Sequence, residues 1–380
     1  MHYNYIVIGA GSMGMAAGYY LAHSGHHTLL LDAFNPPHDH ASHHGETRLI
    51  RYAYGEGIAY VPLALRAGER WRALEKKTKR QLFHETGVIN VGRKQSSFVQ
   101  NVINSAKLHN IPLEVLDAPT VHKRWPGMRL PDDYVACYEP TAGVLKVEDC
   151  INAYRQLAIE AGAVIRTNSR VATITPGNVI TVTTTAGTTF TADRVIVTVG
   201  AWAKALLAQT NLTLPVSPIR KTFAWYEADA SLYSEYAHYP GFSFMLDDAC
   251  FYGFPSIDGA GIKVGRHDGG IPISPDEPRI PFDDTDAVAL DQFLATYMPQ
   301  VGARKYGKTC MYAMTPDEHF IIDQHPHYPN ITFAAGFSGH GFKFASAVGE
   351  LLSELATTGQ TTQDISMFRL NRFTQKETYR

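Results

Sequence analysis

The most constraining feature of this chain is the segment Gly9-x-Gly11-x-x-Gly14, set between an apolar run at residues 5–8 and a stretch at residues 15–24 rich in Ala, Tyr and Leu. Gly25 closes the helical pattern, and residues 27–31 form a second apolar run ending on Asp32. This order predicts strand, glycine turn, helix and strand in succession. In such a unit the first glycine permits a tight turn, the second lets backbone approach a pyrophosphate, and the third allows close packing of the helix. Phosphate charge then meets the helix N-terminus. Asp32 stands where a carboxylate accepts hydrogen bonds from ribose hydroxyls. Gly9, Gly11, Gly14 and Asp32 are therefore the candidate dinucleotide contacts, although the motif alone does not separate NAD from FAD.

Two later segments tip the choice toward a flavin. A helix is predicted at residues 147–161, followed by a strand-rich passage through Val164 and Val171 and a β-branched strand at residues 193–202 that stops near Gly200. Residues 330–336 then read as a strand, and Phe337-Ser-Gly339-His-Gly341-Phe-Lys343 leads into an apolar helix at residues 344–357. A lysine at that junction would stabilise negative charge on a cofactor ring or a substrate carboxylate; a surface-loop lysine is the plainer alternative. Between these pieces, residues 215–265 carry short aromatic and β-branched runs separated by Asp, Gly and Pro turns, the pattern of an antiparallel sheet. Pro272, Pro275, Pro278 and Pro281 mark a connecting loop, a helix is predicted at residues 284–297, and a polar frayed tail from residue 375.

Composition excludes several classes. With 34 basic and 36 acidic side chains in 380 residues the chain has no electrostatic footprint for nucleic acid. No apolar run is long enough to span a bilayer, so no membrane partner is expected. The N-terminus has none of the features of a signal peptide, which predicts a cytoplasmic protein. The four cysteines, Cys137, Cys150, Cys250 and Cys310, are scattered, and the histidine-rich loop from His38 to His44 lacks the spacing of a closed metal site; no metal is expected.

In order along nearly the whole chain, Gly9-x-Gly11-x-x-Gly14, His43-His-Gly-Glu-Thr-Arg48-Leu-Ile-Arg51, Tyr252-Gly-Phe-Pro, Lys263-x-x-x-His267, Cys310-Met-Tyr312 and Gly336-Phe-Ser-Gly-His-Gly-Phe-Lys343 resemble the monomeric sarcosine oxidase family of flavin amine oxidases. The resemblance implies an α/β (α+β) fold: an FAD-binding Rossmann-like domain made of residues 1–80, 145–214 and 310–380, interleaved with an antiparallel-sheet substrate domain of residues 81–144 and 215–309. It implies a monomer whose partners are a small-molecule N-methyl amino acid and O2. The expected reaction converts N-methyl-L-tryptophan, water and O2 to L-tryptophan, formaldehyde and H2O2. Sarcosine or another secondary amino acid is the alternative substrate, and a non-catalytic dinucleotide-binding sensor is the alternative of a different class.

Residue roles follow from the same resemblance. Cys310 is expected to carry FAD covalently as a thioether, with Arg48 and His44 near the flavin ring supplying a positive field for the thiolate. Arg51 and Lys343 are expected to grip the substrate carboxylate, with Tyr252 adding a hydrogen bond. Lys263 is expected to assist reduction of O2 as a fixed cation; alternation with Ile262 and Val264 is equally met by a solvent-facing strand lysine. Lys263, His267 and Arg48 form the expected catalytic set, His267 without an assigned proton-transfer role. Gly9, Gly11, Gly14, Asp32, His44, Arg48, Val171, Gly200, Cys310, Gly339, Gly341 and Lys343 are the expected cofactor contacts.

Overall fold

In the computed structural model, which describes residues 1–373, the N-terminal unit forms as its sequence dictates. The strand His2–Ile8 runs into the helix Ser12–His23 and returns in Thr28–Leu31, parallel to the first strand. The helix begins directly after Gly11, three residues earlier than expected, because Gly14 lies inside it. A Cβ on Gly14 would stand 1.9 Å from the Gly9 carbonyl oxygen, so only glycine permits that approach.

His2–Ile8 also pairs in parallel with Thr189–Val197, which pairs in parallel with Ile331–Ala335, and Val164–Arg166 completes the parallel core beside Thr28–Leu31. Connections long enough to hold helices allow this arrangement. The helices Ser12–His23, Val147–Glu160 and Ala345–Thr358 share one apolar core, with Gly349 set against Ala16 so closely that any side chain there would overlap it. The C-terminal tail expected from residue 375 lies outside the described residues.

A larger sheet has nine strands among the described residues. Its order is Ile271–Pro272, Ser217–Tyr226, Ile262–Arg266, Cys250–Phe254, Gly241–Met245, Val88–Arg93, Tyr134–Glu139 and Glu114–Asp117, with Arg304–Met314 on the other side of Ser217–Tyr226. Two expectations are corrected here. Gly241–Met245 pairs in parallel with Val88–Arg93 rather than antiparallel, which the long connection between them permits. The boundary expected at residue 310 falls inside one continuous strand, because Arg304–Met314 stays paired with Ser217–Tyr226 along its length. One face of this sheet packs on the helix Asp284–Tyr297, whose first turn is closed by a capping box from Asp283 and Asp286. The other face looks toward the parallel sheet.

Candidate active site

A cavity of about 340 Å³ runs from the glycine turn to the larger sheet. Its lining includes Gly9, Gly11 and Asp32, the Val171 segment that joins Asp32 through the Ser169 N–H (2.7 Å), Gly200, and Arg48, Tyr312, Gly339 and Gly341. Gly9 has φ +88, and a Cβ there would meet the Thr198 carbonyl at 2.6 Å. The strand expected to end near Gly200 stops at Val197, and Gly200 opens a short turn with φ +55 and nothing within 4 Å of an added Cβ. The helix Ser12–His23 has no side-chain cap and no acidic residue in its first turn, so its leading N–H groups are free to bind phosphate. A cavity that joins an uncapped helix N-terminus and the Asp32 carboxylate to Arg48 fits FAD.

Asp32 accepts hydrogen bonds from the N–H groups of Ala10 (2.8 Å) and Phe34 (2.9 Å), and His38 Nε2 lies 3.3 Å from its Oδ1. His38 of the histidine-rich loop thus braces Asp32 at the cavity wall. Among the described residues no group of three or more His, Cys, Asp or Glu is placed to hold a metal ion.

Residues 42–48 form a strap between the cavity and the larger sheet. Arg48 donates to the carbonyls of Thr47 (2.9 Å), Ser42 (2.8 Å) and His44 (2.9 Å), and no described carboxylate pairs with it. Lys263 Nζ donates to Gly45 O (2.6 Å) and Thr47 O (2.9 Å), and the Glu148 carboxylate accepts from the N–H groups of Gly45 and Glu46. The strap is therefore fixed by side chains from both sides, and burial, with Arg48 nearby, draws the Lys263 pKa well below the ordinary lysine value. His44 does not supply the expected positive charge: burial, with Arg48, Arg279, Lys308 and Lys263 close by, lowers its pKa to about 3 and keeps the ring neutral.

Strand alternation decides which side chains share the inner sheet face. One cross-strand row runs Tyr252, Gly265, Phe223 and Lys308; the next runs Phe254, Lys263, Trp225 and Tyr306. Lys221 pairs with Cys310, and His267 donates its backbone N–H to Cys250 O, which extends the register to a third row. Tyr252, Lys263, His267 and Cys310 thus project from one face. Lys263 is 2 % exposed and its Nζ lies 4.1 Å from the centre of the Phe254 ring, so the solvent-facing alternative does not apply. Tyr252 accepts a 3.4 Å hydrogen bond from the Tyr312 hydroxyl.

Cys310 is 2 % exposed. Burial pushes its thiol pKa up, while Arg48, Arg279, Lys263 and Lys221 pull it back. Burial lowers the pKa of His267 to about 4, against the charge of Glu56, so its imidazole is neutral near pH 7.

Arg51 and Lys343, expected to hold the substrate carboxylate, lie in two other loops. Arg51, 5 % exposed, donates through Nη2 to Glu56 Oε1 at 2.5 Å, while its Nη1 is buried without a partner. Glu139 holds the same loop by accepting from the N–H groups of Tyr52 and Ala53. Lys343 Nζ donates to His340 O (2.9 Å) and to the Tyr54 hydroxyl (3.2 Å). Burial, with Arg51 and Arg48 nearby, lowers its pKa to about 7 despite Glu56.

Sequence reasoning missed Glu56, Lys221, Arg279, Glu139 and Asn90. Glu56 lies within the stretch that carries Arg48 and Arg51, and its spacing from Arg51 was the available signal. Arg279 sits in the proline-marked loop and folds back to within 3.5 Å of His44. Asn90 shares a cross-strand row with Ser243 and Tyr252, and its amide is buried with neither polar atom bonded. No local pattern announces that placement.

A dinucleotide cavity that carries Arg48 and Tyr312 in its wall has the parts a flavin-dependent oxidoreductase needs. The chain belongs to the DAO family of FAD dependent oxidoreductases, whose family model matches residues 4–355. It is 49 % identical over 382 residues to the monomeric sarcosine oxidase of Bacillus sp. (strain B-0618), covering 99 % of this chain and 97 % of that protein. It is 43 % identical over 376 residues to the N-methyl-L-tryptophan oxidase of Yersinia pestis (strain Pestoides F), covering 98 % of this chain and 100 % of the relative. These relatives make it an FAD-dependent oxidase of the sarcosine and N-methyl amino acid oxidase type. Solved structures of NikD, an unusual amino acid oxidase essential for nikkomycin biosynthesis, and of glycine oxidase from Geobacillus kaustophilus share the fold. Their TM-scores are 0.86 and 0.83, at 24 % and 21 % identity; NikD covers 97 % of each chain, glycine oxidase 98 % of this chain and 99 % of that one.

Proposed function

We propose that this enzyme oxidises N-methyl amino acids, N-methyl-L-tryptophan first among them, to the free amino acid, formaldehyde and hydrogen peroxide, with FAD bound covalently through Cys310 Sγ. The observation that supports the reading is that Tyr252, Lys263, His267 and Cys310 share one sheet face, with Arg51 and Lys343 near enough to act on the charge of His267. When bound, FAD supplies the two-electron oxidation of the amine and passes the electrons to O2. The protein's part is to orient and to set charge. Arg51 and Lys343 hold the substrate carboxylate, which requires the carboxylate to take the place of Glu56 on Arg51. Neutral His267 keeps a positive charge away from the amine side. Lys263 offers positive charge where O2 gains electrons when its amine is protonated, a form that burial and Arg48 disfavour.

The stretches Pro36-Pro-His, Lys221-Thr-Phe-Ala-Trp-Tyr226 and the run from Arg48 to Gly57 support the indole substrate. The second reading, sarcosine, is favoured by the higher identity to monomeric sarcosine oxidase, 49 % against 43 %. Peroxide release with the two substrates side by side decides: faster turnover of N-methyl-L-tryptophan is the expected result. A clear preference for sarcosine transfers the assignment, and no peroxide from either ends it.

The Lys343 ammonium predicts a pH dependence. It is half protonated at about pH 7, increasingly charged below that and increasingly neutral above. Binding of acetate, a carboxylate without an amine, is therefore expected to weaken as pH rises through about 7, by about tenfold per unit where the proton is taken up on binding. A titration followed by flavin absorbance checks this; in Lys343→Met the slope disappears.

A further inference from the structure

We propose that Tyr54 and His340 form a proton relay that joins the Lys343 side chain to solvent beside Glu318. This inference rests on the reading of Lys343 as part of the carboxylate grip.

The relay is one unbroken run of hydrogen bonds. Lys343 Nζ meets the Tyr54 hydroxyl at 3.2 Å, that hydroxyl meets His340 Nδ1 at 2.7 Å, and His340 Nε2 meets the Glu318 carbonyl oxygen at 3.2 Å. The last contact fixes the polarity of the run. A carbonyl only accepts, so His340 Nε2 carries a proton; the neutral ring then leaves Nδ1 bare to accept from Tyr54, and the Tyr54 oxygen accepts from Lys343. Burial, with Lys343 beside it, lowers the His340 pKa to about 3 and keeps the ring neutral.

The run leads from the interior to the surface. Tyr54 is fully buried and Lys343 nearly so, His340 is partly exposed, and Glu318 is exposed. Two of the three Lys343 N–H groups go to His340 O and to Tyr54, which leaves the third for the substrate carboxylate. Of those two partners only the Tyr54 hydroxyl can pass a proton, since a carbonyl has none to exchange. Packed rings keep the run in line: the Tyr54 ring centre lies 5.0 Å from that of Tyr60 and 5.5 Å from that of Phe344, and His340 lies 4.6 Å from Phe320.

Lys343 titrates at about 7, so above that pH a carboxylate draws one proton in as it binds and returns it as it leaves. Inward, water gives a proton to His340 Nε2, Nδ1 gives its own to the Tyr54 oxygen, and Tyr54 gives its own to Lys343 Nζ. His340 and Tyr54 each gain one proton and lose one, and Lys343 ends charged; the outward step is the reverse. The other charged and titratable groups facing the run are Arg48, Arg51, Glu56, Tyr60 and His267. Against burial, Arg51 holds Glu56 to about 2, while burial lowers His267 to about 4 and pushes Tyr60 up. Lys343 is therefore the member of this group that changes charge near pH 7.

The test follows proton uptake. Acetate is mixed with holoenzyme in weak buffer about one pH unit above the Lys343 value, with flavin absorbance reporting binding and an indicator dye reporting protons. The wild-type enzyme is expected to take up protons as fast as acetate binds. In Tyr54→Phe, which keeps the ring and removes the hydroxyl, uptake is expected to slow on the order of a hundredfold, the low end of what a positioned proton-transfer group contributes. The deficit closes as pH falls below about 7, where Lys343 already holds its proton. His340→Ala is expected to show the same deficit, and added imidazole to restore the rate by standing in for the lost ring. Wild-type uptake in either variant, or no rescue of His340→Ala by imidazole, overturns the relay. Lys343→Met separates this failure from that of the underlying reading. If Lys343→Met takes up no proton while Tyr54→Phe takes it up at the wild-type rate, the relay falls and the role of Lys343 stands. If Lys343→Met takes up a proton as the wild type does, the role of Lys343 falls and the relay with it.

Discussion

Cys310→Ala is expected to give a folded protein whose intact mass is that of the bare chain, whereas the wild-type polypeptide carries the added mass of FAD. Attachment requires a thiolate at Sγ, the nucleophilic form of cysteine. Burial opposes that form, and the four cations Arg48, Arg279, Lys263 and Lys221 oppose the burial. Alanine removes the nucleophile and one buried sulfur, a change that costs roughly 1 kcal/mol of packing. Serine leaves a buried hydroxyl and costs roughly 1–3 kcal/mol more where it finds no partner. Alanine is therefore the cleaner variant. Acid precipitation gives a second readout: wild-type colour stays in the pellet, and variant colour passes into the supernatant. A flavin adduct on Cys310→Ala would place the attachment elsewhere.

Arg51→Met is expected to raise KM for the N-methyl amino acid by roughly 30- to 4000-fold, from the loss of about 2–5 kcal/mol when one member of a buried charged pair is removed. The expected effect is large because Arg51 is nearly enclosed and its second arm, Nη1, already waits without a partner. The present partner complicates the measurement. Glu56, held to a pKa of about 2 chiefly by Arg51 against burial, loses its counter-ion in the variant. Glu56→Gln resolves this: it frees Arg51 without removing it, so KM is expected to fall. If Glu56→Gln raised KM instead, Glu56 would have to serve the substrate directly. If Arg51→Met left KM unchanged, the carboxylate would lie elsewhere in the site.

Much of the frame was legible in the residues. The glycine spacing between two apolar runs required a strand, a tight turn and a helix, because only glycine tolerates the Gly9 backbone angle and the contact at Gly14. The helix Asp284–Tyr297 was marked at its start by acidic residues that cap it. Local chemistry suffices for such elements, since their causes lie within a few residues of one another.

The site was legible only through its likeness to known sequences. Alternation told that Lys263 lies on the opposite face from Ile262 and Val264, but not which face is buried; that depended on Phe254 and Trp225 from neighbouring strands. The neutrality of His44 arises from burial among four cations drawn from separate parts of the chain. Cys310 gains Lys221 only because two strands far apart in sequence pair at that position. Sequence by itself determined the dinucleotide turn, the order of elements and the residue types available for chemistry, all set by short-range sterics and periodicity. Tertiary structure alone decided which of those residues meet, which are charged and which cavity each one faces, because register and desolvation are properties of the packed sheets and not of any single segment.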